Sequence, residues 1–272
     1  WRGHRRTDRD MNLAQTTTCD AAPPREGAGA SGFRAEWARC LADVRAAQRL
    51  RYRVFVEEGG AQITSSMRHH ELDAFDPWCE HLLVRHPTHG EVIGTYRVLT
   101  PEKARLQGGL YADAEFNLSE LNPLRPRLVE LGRACVHPDH RAGGVILALW
   151  RGLTRFMRAR GLDTMIGSAS VPMRDGGHAA ASLWTRLRQT HLAPRSLRVH
   201  PWVPLPVERL DTTLKVEPPP LVKGYLRLGA RLLGAPAWDP AFQTADLPML
   251  VSLSEMPARY RRHFLADGPA DT

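Results

Sequence analysis

The stretch LVELGRACVHPDHRAGGVILALW, residues 128–150, decides the fold. It reads as an apolar strand ending at Val136, a polar loop PDHRAGG, and an apolar helix from Val145. Two charges, Glu130 and Arg133, stand inside the strand. A core strand gains nothing from them, whereas a strand that lines a reaction cleft does. Alternation puts Glu130, Gly132, Ala134 and Val136 on one face and Leu131, Arg133 and Cys135 on the other. Glu130 and Arg133 therefore share a face only if the strand bulges. After the strand, Gly143 and Gly144 let the backbone approach a ligand closely, and the helix start leaves amides unpaired. Arg141 adds a cation beside them, and phosphate is the ligand such a turn suits. Glycine turns that bind nothing are common, so the turn counts only together with its strand.

That strand has two readings. In one, Arg133 pairs with a structural carboxylate. In the other, the strand splays from its neighbour near Cys135 and Val136, and its freed amides face an acyl thioester. The turn then holds the phosphate of the pantetheine arm, and an N–H such as that of Val136 stabilises the oxyanion.

Outward from this unit, residues 145–160 form a helix with Ile146, Leu149, Trp150, Leu153 and Met157 on one face. TMIGSAS is a further strand, and residues 178–187 are helical. Upstream, residues 81–85 and 91–99 make a hairpin around a turn at 86–90. A helical pattern runs from Arg34 through Trp37, Leu41, Val44 and Gln48 to Tyr52 and Phe55. Residues 59–76 are a long polar connection ending in HELDAFD, the kind of loop that covers a site. Residues 101–126 read as irregular, with a short helix in YADAEFNLSEL. The order defines an α/β (α+β) chain with a mixed central β-sheet flanked by helices. Residues 1–32 read as a disordered tail. Residues 216–272 read as an extension, packed on the domain or facing a membrane. Its Leu221, Val222, Tyr225, Leu226 and Leu232 make an apolar stripe among Lys223, Arg227 and Arg231.

With 37 Lys and Arg against 29 Asp and Glu, the net charge is +8. A basic chain suits an acidic partner: nucleic acid, an anionic membrane or an acidic carrier protein. The arginines are interleaved with core positions and no recognition motif is present, so nucleic acid is set aside. Cysteines at 19, 40, 79 and 135 form no close pair, which suits reduced thiols in the cytoplasm. The twelve histidines show no metal-binding spacing, so no metal is expected. No run of eighteen apolar residues spans a bilayer, and no signal peptide is visible. Cys135 and His137 make no triad, and Cys135 reads as packing.

Several motifs in one order resemble the ornithine N-alpha-acyltransferases, relatives of the GNAT acetyltransferases and acyl-homoserine lactone synthases. They include LRYRVFVEE, ELDAFDPWCEHLLV, EVIGTYRVLTPEKA, CVHPDHRAGGVILALWRGLTRFM, DTMIGSASVPM and the late KGYLRLGARLLGAPAWDP. The likeness covers about residues 34–266. It implies a GNAT-like domain over 33–215 that transfers a 3-hydroxyacyl chain from acyl carrier protein to the α-amine of ornithine. No bound cofactor is implied, because the donor is the carrier's acyl-phosphopantetheine. By the same resemblance, Arg53, Asp73, Asp76, Arg97 and Glu130 shape the acceptor side, with Arg133 beside them. Val136, Arg141, Gly143 and Gly144 form the donor side. Ile146 departs from the GNAT turn, which has Gly or Ala there. A bulkier residue restricts the pyrophosphate of coenzyme A but suits the single phosphate of a carrier arm.

The residue chemistry agrees. Ornithine has two amines and one carboxylate. Asp73 and Asp76 suit the amines, and Arg53 or Arg97 suits the carboxylate as a bidentate partner. Glu130 is the candidate base, directly or through water. Amine attack on a thioester needs positioning and an oxyanion donor but no nucleophilic side chain. Another acceptor amino acid, or a lactone synthase, would use much the same pocket. The product is expected to form in the cytoplasm, with peripheral contact to an anionic membrane through the 221–233 stripe.

Overall fold

The computed structural model describes residues 32–141 and 144–265. The tail expected over 1–32 lies outside these residues except at its last position, as does Gly143. In chain order the elements are β1 (Ala35–Trp37), α1 (Leu41–Tyr52), β2 (Glu80–Arg85), β3 (Val92–Leu99), α2 (Pro101–Gln107), β4 (Phe116–Asn117), β5 (Leu128–Val136) and α3 (Val145–Ala159). They continue as β6 (Thr164–Pro172), α4 (His178–His191), β7 (His200–Pro201), α5 (Pro220–Arg227), β8 (Arg231–Leu232), β9 (Ala237–Asp239), β10 (Thr244–Ser252) and α6 (Ala258–Leu265).

The main sheet runs β1-β2-β3-β5-β6-β10-β8, with β9 also on β10. Among the described residues, β5–β6 is the one parallel strand pair of this sheet. Both faces are covered. Val145, Leu149, Leu153 and Met157 of α3 pack with Leu82, Val84, Tyr96 and Val98 on one face. Ala47 and Leu50 of α1 pack with Leu83, Val92 and Cys135 on the other. Every residue of β3 is therefore buried.

Three differences from the sequence reading matter. Trp37 belongs to a strand, not to the helix that starts at Leu41. Residues 35–37 pair with the open edge of β2, where Trp37 packs against Phe156 with ring centroids 4.4 Å apart. Residues 101–107 are helical, capped by the Thr100 hydroxyl that accepts from the Lys103 amide. The residues after 216 do more than rest on the domain. β10 pairs with β6 over nine positions, from Thr244↔Pro172 to Ser252↔Thr164. A strand as apolar as Thr244–Ser252 satisfies its main chain most fully by joining the sheet.

Two irregularities create the site. The β3–β5 register passes from Thr95↔Cys135 to Arg97↔Gly132, so Tyr96 faces both Arg133 and Ala134. This is a β-bulge, and Arg133 adopts φ 52° within it. The second irregularity is a splay. β5 and β6 pair only over Leu128↔Thr164, Val129↔Met165 and Glu130↔Ile166. From Leu131 onward β6 stays with β10 and leaves β5. At the apex Gly167 lies against Leu131, and a Cβ there would sit 2.6 Å from the Leu131 carbonyl oxygen.

Candidate active site

The splay opens into a cleft of about 650 Å³. Leu131, Gly132, Arg133 and Ala134 form one wall and Ser168, Ser170 and Pro172 the other. Val54, Phe55, Phe75, Leu99 and Leu221 add an apolar lining suited to an acyl chain. The His137 amide bonds back to the Ile93 carbonyl at 2.8 Å. Main-chain amides alternate along a strand, so the Val136 N–H turns to the open edge.

The bulge brings Arg133 to the side where Arg97 lies. Together with Arg51 they hold the loop at 71–76 in a closed ionic network. Arg51 donates to Glu71 at 2.5 Å and, bidentately, to Asp76 at 3.0 and 2.8 Å. Arg97 donates through one nitrogen to Asp73 at 2.6 Å and Asp76 at 3.0 Å. Arg133 donates to Glu71 and Asp73, both at 2.9 Å. Its guanidinium is sandwiched 4.7 Å from the ring centroids of Tyr111 and Phe242. Burial works to raise Asp73 and Asp76, but the arginines overcome it and hold both below the usual carboxylate range.

This network sorts the predicted residues. Asp73, Asp76, Arg97 and Arg133 are brought together, but the aspartates are engaged by arginines. Arg97 Nε and Nη2 make no hydrogen bond within the described residues. They lie 3.9 Å from where a Cβ of Gly132 would stand, so the bare strand there leaves them open. Arg53 is not part of the constellation. It is exposed on the π-helical turn after α1, and Arg51 is the buried arginine. The reason is helical phase: Gln48 and Arg51, three apart, face the sheet, and two further residues rotate Arg53 outward. Arg51 and Glu71 were missed. HELDAFD contained Glu71, but nothing in the alternating arginines at 49, 51 and 53 singled out the buried one.

Glu130 lines the cleft and is buried. Its two oxygens accept the Tyr111 and Ala112 amides, each at 2.7 Å. Burial dominates and pushes its carboxyl up to about 7, against the pull of those amides and of Arg97. Across the cleft stand three carboxylates that the sequence reading did not select: Glu115, Asp239 and Asp246, with oxygens within 4.8 Å of one another. Ser168 donates to Glu115 at 2.8 Å and Thr244 to Asp246 at 3.1 Å. Burial, then mutual repulsion, raises Glu115; burial raises Asp246, with Asp239 adding to it. Asp239 and Asp246 come from the paired strands β9 and β10, and Glu115 from a segment more than a hundred residues earlier in the chain.

On the donor side, Gly144 caps α3. Arg141 lines the cleft but is held by Glu58 in a bidentate pair, both bonds 2.6 Å. Cys135 lies on the α1 side, where burial pushes its thiol up to about 12. Cys79 and Cys135 are free thiols. Among the described residues no helix is long and apolar enough to cross a membrane.

A parallel strand pair that splays beside a helix N-terminus defines the class: an acyltransferase with the GNAT fold. A family described as acetyltransferase (GNAT) domain matches residues 50–151. The fold is also that of a CoA-dependent acyl-homoserine lactone synthase, BjaI, with a TM-score of 0.51 and 16% identity over 84% of this chain and 85% of that one. The chain is 35% identical to the L-ornithine N(alpha)-acyltransferase of Rhodobacter capsulatus, over 84% of this chain and 92% of the relative. It is 33% identical to the protein of that name from Rhizobium meliloti, over 95% and 93%. The chain belongs to the L-ornithine N(alpha)-acyltransferase family.

Proposed function

We propose that this chain transfers a 3-hydroxyacyl group from the phosphopantetheine of acyl carrier protein to the α-amine of ornithine, the first step toward an ornithine lipid. The observation that carries the reading is the charge pattern across the splayed cleft. Open guanidinium nitrogens of Arg97 and the carboxyl of Glu130 lie on one side, and Glu115, Asp239 and Asp246 on the other. An amino acid with a cationic side chain fits that pattern. Its carboxylate pairs with Arg97, and its side-chain ammonium faces the three carboxylates. Asp73 and Asp76, already paired with arginines, shape the pocket.

The amine loses a proton to Glu130 through water and attacks the thioester carbonyl. The Val136 N–H supports the oxyanion, and the pantetheine thiolate leaves. The donor phosphate rests at the α3 turn, where Ile146 favours a single phosphate over a pyrophosphate. The amphiphilic product then passes to an anionic membrane surface.

Purified protein with 3-hydroxyacyl carrier protein should be assayed by mass spectrometry against ornithine, lysine, 2-aminopentanoate and S-adenosylmethionine. N-acylornithine is the expected main product. Equal use of 2-aminopentanoate would remove the role of the three carboxylates. A lactone from S-adenosylmethionine would replace the reading with that of a signal synthase.

A further inference from the structure

The apolar sides of α5 and α6 are used up inside the protein, and what they turn outward is cationic. Trp150 of α3 seats both helices, with its ring 6.1 Å from Tyr225 and 6.0 Å from Phe264. Gly224 lies on the indole so closely that a Cβ would stand 2.4 Å from it. Gly229, just after α5, lies so near Pro257, just before α6, that an added Cβ would stand 3.4 Å from it. Val222, Leu228 and Phe264 are buried by this packing. Of the stripe expected to meet a membrane, Val222, Tyr225, Leu226 and Leu232 therefore pack on the core and Leu221 lines the cleft.

The outward residues are Lys223 and Arg227 of α5 and Arg259, Arg261 and Arg262 of α6, all exposed. Lys223 pairs with Glu217 at 3.2 Å, and Arg259 lies 4.6 Å from the Tyr260 ring centroid. Arg227, Arg261 and Arg262 make no hydrogen bond or ion pair among the described residues. The acidic residues of residues 216–232 and 253–265 are only Glu217 and Glu255. Meanwhile Pro219, Leu221 and Tyr225 line the cleft. One side of α5 thus borders the reaction space, and the other carries uncompensated positive charge.

We infer that the outward face of α5 and α6 is the docking surface for an acidic carrier protein that delivers the thioester. The inference rests on the carrier-dependent reading above and adds the place of contact. Charge complementarity selects the partner, and continuity with the cleft puts its arm beside the entrance. A bilayer fits less well, because interfacial helices insert apolar side chains. No large apolar residue of α5, or of the described part of α6, is exposed.

The test is the triple variant Arg227→Glu, Arg261→Glu, Arg262→Glu, assayed with two donors: acyl carrier protein and the same acyl group on free pantetheine. KM for the carrier should rise about tenfold and lose its dependence on salt. Use of acyl-pantetheine should stay within about twofold, because none of the three residues lines the cleft. The triple Arg→Gln variant, a milder change, should fall between and supplies the same readout if the reversed protein fails to fold. An unchanged KM for the carrier overturns the inference. So does an equal loss with both donors. Loss of binding to phosphatidylglycerol vesicles with normal carrier use would make the face a membrane contact and also overturn it. If the wild type uses acyl-pantetheine but never the carrier, the donor reading itself fails, whatever the variants do.

Discussion

Glu130 shows how one residue can be structural and chemical together. Its oxygens hold the Tyr111 turn, and its burial keeps the carboxyl near half-ionised at neutral pH. Glu130→Gln should lower kcat about 100- to 10,000-fold. It should also lower Tm, because the glutamine NH2 must face a main-chain N–H, at about 1–3 kcal/mol. The acid limb of kcat/KM, centred near pH 7 in the wild type, should vanish in the variant; a limb that persists would assign the proton transfer elsewhere. The linkage sign is definite. Between the ordinary 4.5 and about 7 the folded chain keeps a proton that the unfolded chain releases. This residue's contribution to stability therefore falls as pH rises across that window. Asp73 and Asp76 run the other way. Their depressed values stabilise the fold above the ordinary 3.8, and that support is lost as pH falls. The same scale separates two arginines two positions apart. Arg51→Leu removes the largest share of the charge that holds the buried Glu71 and Asp76, leaving them only Arg133 and Arg97, and should cost about 3–5 kcal/mol in denaturant melts. Arg53→Leu should cost less than about 0.5 kcal/mol. Similar costs for both would contradict the network.

At the scale of elements, the cleft depends on how two strands part. Three paired positions hold β5 to β6, and then Gly167 meets the Leu131 carbonyl. Gly167→Ala introduces a methyl group where 2.6 Å is available, so the strands must shift. The expected cost is about 1–3 kcal/mol. KM for the acyl donor should rise more than KM for ornithine, since the donor lies along the splay and the acceptor is held by side chains. A mutant with normal donor kinetics would show that the apex does not set the opening. The bulge acts on the same strand. It gives Arg133 the φ of 52° that places the residue opposite Tyr96 and within reach of Glu71 and Asp73. An unbulged strand would turn that side chain toward the opposite layer.

Across the whole molecule, the acidic cluster exists because the β9–β10 hairpin meets the distant segment that carries Glu115. Glu115 precedes β4, Asp239 ends β9 and Asp246 lies in β10. Burial and crowding hold Glu115 and Asp246 partly protonated near neutral pH. A cation entering this corner stabilises the charged forms, so binding should release protons. Calorimetry of ornithine binding near pH 7 should give an enthalpy that depends on the ionisation heat of the buffer. Asp246→Asn should reduce that dependence and raise KM for ornithine about tenfold, a charged contact being worth about 1.5–3 kcal/mol. Buffer-independent enthalpy in the wild type would mean that the cation binds elsewhere.

The hairpin of β2 and β3, the strand β5, the turn before α3 and the helix itself were legible in the chain because each is written in local periodicity and turn chemistry. So was the condition that Glu130 and Arg133 share a face only through a bulge. The burial of Arg51 rather than Arg53 was not legible, because it depends on where α1 sits against the sheet. Nor was the place of β10 in that sheet, between β6 and β8, or the gathering of Glu115, Asp239 and Asp246. Local sequence sets which way a residue faces on its own element. Long-range pairing of β6 with β10 decides which distant side chains share one cleft, and with them which charges are buried together.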